Sequence, residues 1–244
     1  LRHLGERHGA TVFAALAAWL GAFLTRLGRV PNVHLATQVA GRDLAGADQV
    51  IGLFLNTLVL PVCLRADDTF VTLLRRVGQE VMEALEHKDV PFDLVVADLR
   101  SARHPWRRPL ADVMLVLQPP ASVAGAGAAL ELFEVDVVNA KCDLLFNFRE
   151  DDGRLTGVLE YNADLFDDEI VASWRRACLT LLDGLLGAPE LAVAEVPLVA
   201  TADWAAAITR QETRVELPAE LTLPELCRRA ARQRPDAEAL RSVA

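Results

Sequence analysis

The run from Thr11 to Leu27, TVFAALAAWLGAFLTRL, constrains the fold more than any other part of the chain. Alanine, leucine and phenylalanine fall on nearly every side of a helical wheel, so a helix formed here has no broad polar stripe to turn toward water. It must be packed on more than one side. The apolar stretch itself, Thr11 to Leu24, spans 14 residues, is broken by Gly21 and is ended by Arg26. Crossing a bilayer takes ~20, so the expectation is a core helix and no transmembrane segment. A chain of 244 residues, 52% of them hydrophobic, can bury such a helix in one large or two small domains.

What covers that helix is legible downstream. After Gly28, the short apolar run Val33 to Val39 reads as a buried strand, and Gly41-Arg42-Asp43 opens a polar loop. A second strand is expected from about Phe54 to Leu64. Its Pro61 lacks a donor for the ladder, which places that strand at an edge or a bulge. Phe70, Leu73, Leu74, Val77, Val81 and Leu85 have helical spacing behind Asp67-Asp68-Thr69 as the cap, and a short helix follows at Phe92 to Leu99. Then come four strand-like runs: Asp112 to Gln118, Leu130 to Val138, Asp143 to Arg149 and Leu155 to Tyr161. Glu150-Asp151-Asp152-Gly153 between the last two is a hairpin signal. Pro119 to Ala129, rich in Ala, Gly and Pro, reads as a flexible loop. The amphipathic run Asp167 to Leu186, acidic in its first turn, completes a helix-on-sheet layer. One α/β domain is therefore expected over residues 1–197. Residues 198–244 read as a linker, strandless from Leu198 to Leu217, followed by a basic amphipathic helix from Leu223 to Arg234 that starts another unit.

Several function classes are excluded by composition and spacing. With 34 acidic against 25 basic side chains the formal charge is -9, which opposes general binding to nucleic acid or anionic lipid. Cys63, Cys142, Cys178 and Cys227 lie 36 to 79 residues apart, with no close pair to make a zinc or thioredoxin-type site. A reduced, cytoplasmic protein is expected. His3, His8, His34, His87 and His104 include no adjacent pair and no His-x-x-x-His, so no metal site and no catalytic zinc are expected. His34 alternates within a strand and reads as a hydrogen-bonded structural residue rather than a catalytic one. No glycine-rich phosphate loop is present, and none of Ser101, Ser122, Ser173 and Ser242 sits in a Gly-x-Ser-x-Gly elbow. No repeat with a period of 20 to 50 points to a solenoid or propeller. The first residue has no leader pattern behind it and the last follows no punctuation, so both ends read as cut from something longer.

What remains is a set of ordered segments. Gly41-Arg42 followed by Ile51-Gly52-Leu53-Phe54-Leu55-Asn56-Thr57-Leu58 resembles the "GR … IGxFxNTL" signature of condensation domains of nonribosomal peptide synthetases. His87-Lys88-Asp89-Val90-Pro91-Phe92-Asp93 is similar to their "HxDxPFE" motif, Arg103 to Leu110 to "RDxSRNPL", and Leu159 to Phe166 to "leYntdLF". Asp112-Val113-Met114-Leu115 continues in the family's manner. Leu223-Pro224-Glu225-Leu226 with Arg234-Pro235-Asp236-Ala237 resembles the opening of an adenylation domain. Two positions depart from the pattern: Pro61 or Val62 stands where an arginine is usual, and Arg108 where asparagine is usual.

The resemblance implies a chloramphenicol-acetyltransferase-like lobe, a mixed β-sheet covered by helices, with an extended C-terminal linker. The family's fold pairs two such lobes in a V around a tunnel, and this chain matches the C-terminal one. The motif of two adjacent histidines, three residues and Asp-Gly belongs to the N-terminal lobe and is not found here, so no catalytic residue is expected in this chain. The implied reaction is amide formation between a carrier-bound donor thioester and a carrier-bound acceptor amine. The implied partners are the N-terminal lobe, peptidyl carrier proteins and an adjacent adenylation domain. No cofactor would bind directly, 4'-phosphopantetheine being carried by the partner carrier proteins. A second reading is a catalytically inactive condensation-like module that recruits a tailoring enzyme or carrier protein, and a third is an interdomain spacer.

Individual residues carry paired readings. Asn56 and Thr57 lie in an apolar strand, where a polar side chain needs a partner. A bond to neighbouring backbone is favoured over substrate contact in the tunnel. His87 and Asp89 precede Pro91 at a helix end, where capping is favoured over a tunnel or interlobe role. Arg103, Trp106, Arg107 and Arg108 cluster in a loop and read as a clamp on that loop, with docking of a pantetheine phosphate or an acidic carrier helix as the sharper alternative. The segment Pro119 to Ala129 is the candidate for crossing between lobes. Tyr161, the only tyrosine, reads as structural.

Overall fold

The computed structural model describes residues 1–43, 45–99, 110–118, 140–151, 153–211 and 222–235. Helix α2 (Val12–Gly28) is the apolar run, and every residue from Ala14 to Thr25 is buried. Thr11 caps it, its Oγ1 accepting from the Ala14 N–H at 3.1 Å. The helix ends where Arg29 turns into the left-handed region (φ 51°) and its N–H reaches back to the Thr25 carbonyl. A short α1 (Arg2–Arg7) precedes it.

Five strands form one sheet in the order β2-β1-β3-β4-β5: β1 (Asn32–Ala40), β2 (Leu55–Cys63), β3 (Val113–Gln118), β4 (Leu144–Asp151) and β5 (Arg154–Tyr161). β1 runs antiparallel to β2 and parallel to β3; β3 is parallel to β4, and β4 antiparallel to β5. The sheet is thus mixed, as expected. β2 is an edge strand with Pro61 opposite His34, which is where a proline costs no ladder bond. The β4–β5 pairing closes at Asp151–Arg154, leaving a two-residue turn whose Gly153 takes φ +75°.

Alternate residues of the strands face the helices. Leu35, Leu60, Val62, Leu115, Leu144, Phe146 and Phe148 join α2, α3 (Phe70–Glu86) and α5 (Asp168–Gly187) in one core cluster. Gly21 lets α2 lie directly on β2, since a Cβ there would sit 2.3 Å from Val62 Cγ1. Trp19 donates from Nε1 to the Cys178 carbonyl at 3.0 Å and tilts against Phe148 at 6.0 Å between ring centroids, tying α2 to α5 and the sheet. The other face carries a smaller cluster of Ala36, Met114, Cys142 and Leu145.

The structure narrows one sequence expectation and alters another. The cap of α3 is Thr69, in a reciprocal box with Thr72, while Asp68 is buried in another role. The strandless stretch read as linker contains α6 (Thr201–Gln211), whose Ala-rich composition favours helix. The loop Pro119 to Ala129 and the strand expected at Leu130 to Val138 lie outside the described residues. Residues 1–200 and 201–244 form separate units. The second holds α6 and α7 (Leu223–Gln233), the latter opened by a Thr222–Glu225 capping box. Among the described residues no helix is long and apolar enough to cross a membrane.

Candidate functional site

The motif residues converge where β1 ends and β2 begins. The Gly41 N–H donates to the Phe54 carbonyl at 2.8 Å, and a Cβ on Gly41 would lie 2.8 Å from that same oxygen. Glycine is required there by the close approach of backbone. Arg42 then gathers the loop around its guanidinium. Nη1 donates to the carbonyls of Ala47 (2.5 Å) and Val50 (3.0 Å), and Nη2 to that of Gly52 (3.1 Å). The same group lies 4.4 Å from the centroid of the Phe54 ring. A planar cation with several donors suits this task, and a lysine does not.

Asn56, at the second position of β2, fastens this loop to the turn between α3 and α4 (Phe92–Asp98). Its Nδ2 donates to the carbonyls of Lys88 and Val90, both at 2.7 Å. Its Oδ1 accepts from the N–H groups of Thr57 at 2.9 Å and Phe92 at 3.1 Å. A primary amide has two donors and two acceptor lone pairs, so all four positions are filled by backbone and none is left for a substrate. An ion pair of Lys88 with Asp43 adds a second tie, with Asp89 3.5 Å from the same ammonium. The hydrogen bond that Lys88 donates to Asp43 raises the Lys88 pKa.

His87 is the C-cap of α3; its N–H reaches the Ala84 carbonyl and its own carbonyl accepts from the Val90 N–H at 3.1 Å. His87 and Asp89 are exposed, and Thr57, half-buried, pairs with Gln38. Asn56, His87 and Asp89 are thus brought to one corner. It is a corner held by backbone recognition. Arg103, Trp106, Arg107 and Arg108 lie outside the described residues. Among the described residues no group of histidine, cysteine and carboxylate side chains could hold a metal ion.

The opposite end of the β1–β2 pair is fastened by Asp68, which the sequence places in the α3 cap, and by Arg76, which sequence reasoning did not single out. Asp68, 5% exposed, accepts from the Arg65 N–H (2.7 Å), Thr72 Oγ1 (3.3 Å) and both terminal nitrogens of Arg76. Arg76 also donates to the Cys63 carbonyl at 2.6 Å. Burial pushes the Asp68 carboxyl up, but the bonds from Arg76, Arg65 and Thr72 outweigh it and hold its pKa below the ordinary value. Arg26 donates to the carbonyls of Val193 (2.9 Å) and Val196, and burial lowers its pKa. The signal available for the Asp68 clamp was only an Asp eight residues before an Arg on one helix start.

Two apolar clefts flank the sheet. One, about 330 Å³, is lined by Phe13, Thr37, Leu58, Val81, Met82 and Leu85. The other, about 340 Å³, lies among Trp19, Phe146, Leu159, Trp174, Cys178 and Leu182. Burial pushes the Cys178 thiol up to about 12, so it stays protonated and unreactive near neutral pH.

Comparisons with known proteins give the family. The family model described as "Condensation domain" matches residues 1–206. One of the linear gramicidin synthase subunits of Brevibacillus parabrevis is 32% identical over 97% of the chain, and surfactin synthase subunit 1 of Bacillus subtilis 29% identical over 98%. The X-domain from teicoplanin biosynthesis is 28% identical, with a TM-score of 0.71 over 80% of this chain. A four-domain nonribosomal peptide synthetase shares the fold at a TM-score of 0.80 over 96% of the chain and 22% identity.

The chain belongs to the condensation domain family. It spans 5% of the gramicidin synthase protein and 7% of the surfactin one, and 45% of the X-domain chain.

Proposed function

We propose that this chain is the C-terminal lobe of a nonribosomal peptide synthetase condensation domain, with residues 198–244 leading into an adenylation domain. In the parent the amine of an acceptor attacks the thioester carbonyl of a donor: the C–N bond forms, the C–S bond breaks, the sulfur leaves as thiol and the amine gives up a proton. Both substrates arrive on pantetheine arms, so the enzyme's main task is to bring them together and orient the amine. This lobe supplies a wall and a fixed corner for that meeting. The single observation that supports the reading is that the family's signature residues, Gly41, Arg42 and Asn56, form one hydrogen-bonded corner. His87 and Asp89 are positioned by that corner as interlobe or tunnel residues, through Asn56.

The test is reconstitution. The chain alone, offered loaded donor and acceptor carrier proteins, is expected to form no amide, and the two-lobe parent domain to form it; turnover by the chain alone overturns the reading. One solved structure is a complex of the X-domain and OxyB from teicoplanin biosynthesis, so recruitment of a tailoring enzyme is the outcome to look for if the two-lobe domain is inactive. The synthetases among the relatives favour amide formation.

A further inference from the structure

The two edges of the sheet are built differently. β2 at one edge carries Pro61, a residue that blunts an edge against further pairing. β5 at the other edge is regular: its register with β4 runs unbroken from Leu144–Tyr161 to Asp151–Arg154, and RLTGVLEY holds neither a proline nor a bulge. The two-residue turn closes on a hydrogen-bonded pair, Asp151 with Arg154. Alternation from there turns the backbone N–H and C=O groups of Leu155, Gly157 and Leu159 away from β4. Among the described residues no hydrogen bond reaches these outward groups. A row of this kind is a template for one more strand.

We infer that β5 is the two-fold seat of a homodimer, in which a second copy of this chain adds its own β5 antiparallel to the first with Gly157 opposite Gly157. Charge selects both the occupant and the register. Arg154 and Glu160 stand three residues to either side of Gly157 on one face of the strand, and neither forms an ion pair among the described residues. Pairing about Gly157 sets Arg154 of each copy opposite Glu160 of the other, and any slip of register loses both pairs. The same register sets Thr156 opposite Val158, which is 48% exposed in the single chain, and gives the outward backbone groups of Leu155 those of Leu159 as partners. A two-fold axis perpendicular to the sheet keeps α5 of both copies on one side. On that side Leu155 and Leu159 line the 340 Å³ apolar cleft with Leu179, itself 50% exposed, so the cross-strand leucine pairs bring the two clefts together over the axis. Gly157 places no side chain there; a Cβ would lie 2.6 Å from Phe148 Cε1.

The experiment is sedimentation equilibrium of the native chain and of two variants, Arg154→Glu and Glu160→Arg. The native chain is expected at a doubled mass. Each variant alone sets like charges opposite each other at both pairs and is expected to dimerise at least about tenfold more weakly. An equimolar mixture of the two variants restores opposite charges at both pairs and is expected to recover the native affinity within about threefold. In the native chain, amide exchange at Gly157 and Leu159 is expected to slow as protein concentration rises, because these N–H groups become bonded only across the axis. A native chain that stays monomeric at about 0.1 mM overturns the seat. So does a dimer that neither variant weakens, which places the contact on another face, and so does weakening that mixing does not repair. A dimer in which the Gly157 and Leu159 amides exchange as fast as in dilute protein overturns it without any variant.

Discussion

The two ends of the β1–β2 pair are fastened by the same chemistry in different surroundings. At one end Arg76 binds the buried carboxylate of Asp68 and the Cys63 carbonyl. At the other, exposed Arg42 binds three carbonyls and an aromatic face, and Asn56 binds four backbone groups. The first is an ion pair in low dielectric, where losing one partner strands a charge. The second is a solvent-facing frame of backbone hydrogen bonds that shapes a loop. One end holds the fold together and the other gives a surface its form.

The sharpest way to break that contrast is at the buried end. Arg76→Ala leaves the Asp68 carboxylate without its cation, and the expected loss is about 3 kcal/mol in denaturant unfolding; a loss below about 1 kcal/mol, the scale of an exposed pair, would make the two ends equivalent. Asn56→Ala removes one side chain from four backbone partners, at an expected cost of about 2 kcal/mol. The same variant should raise amide exchange at Val90 and Phe92 while leaving α5 protected.

Acid separates the ends without mutation. The folded Asp68 has its pKa below the unfolded value of ~3.9, so its contribution is fully present above that value. It is lost as pH falls through the folded pKa. Stability is therefore expected to decline below about pH 4, and Asp68→Asn should be less stable at neutral pH and flatter through the acid range. Arg42→Lys keeps the charge but not the fork, and about 1 kcal/mol or less is expected in melting, with the effect concentrated in proteolytic nicking of residues 44–53. The smallest effect is chemical: in the native chain a thiol reagent should reach Cys63 and Cys227 and spare Cys142 and Cys178.

How much of this was legible varies with the kind of interaction. The packing of α2 could be read because burial on all sides requires apolar residues on all sides, as Ala14 to Thr25 display. The edge position of β2 followed from Pro61, and the β4–β5 turn from Asp152-Gly153. α6 was missed because its eleven residues offer only a short window for a period to show. The cap of α3 was left spread over Asp67, Asp68 and Thr69 because Asp and Thr both cap well, and only the buried position of Asp68 decides between them.

The corner shows the same division. Its residues stood out in the sequence as ordered segments, and Asn56 raised the question of how a polar side chain in an apolar strand is satisfied. The partners, the Lys88 and Val90 carbonyls and the Phe92 N–H, lie more than thirty residues away. They are backbone groups of a kind nearly every residue possesses, so no side-chain type could announce them.

The sequence by itself determined the periodic and compositional features: a helix that must be buried, alternating strands, turns that need glycine, an acidic net charge and the family's ordered segments. These are local, because propensity, period and turn chemistry act over a few residues. Only the tertiary structure decided that Asn56 is saturated, that Arg42 encloses a loop, that Asp68 is clamped by Arg76, and that Ile51 and Leu53 are left facing outward. Each of those depends on which backbone atoms meet across long stretches of chain, and that is set by the packing of α2, α3 and the sheet as a whole.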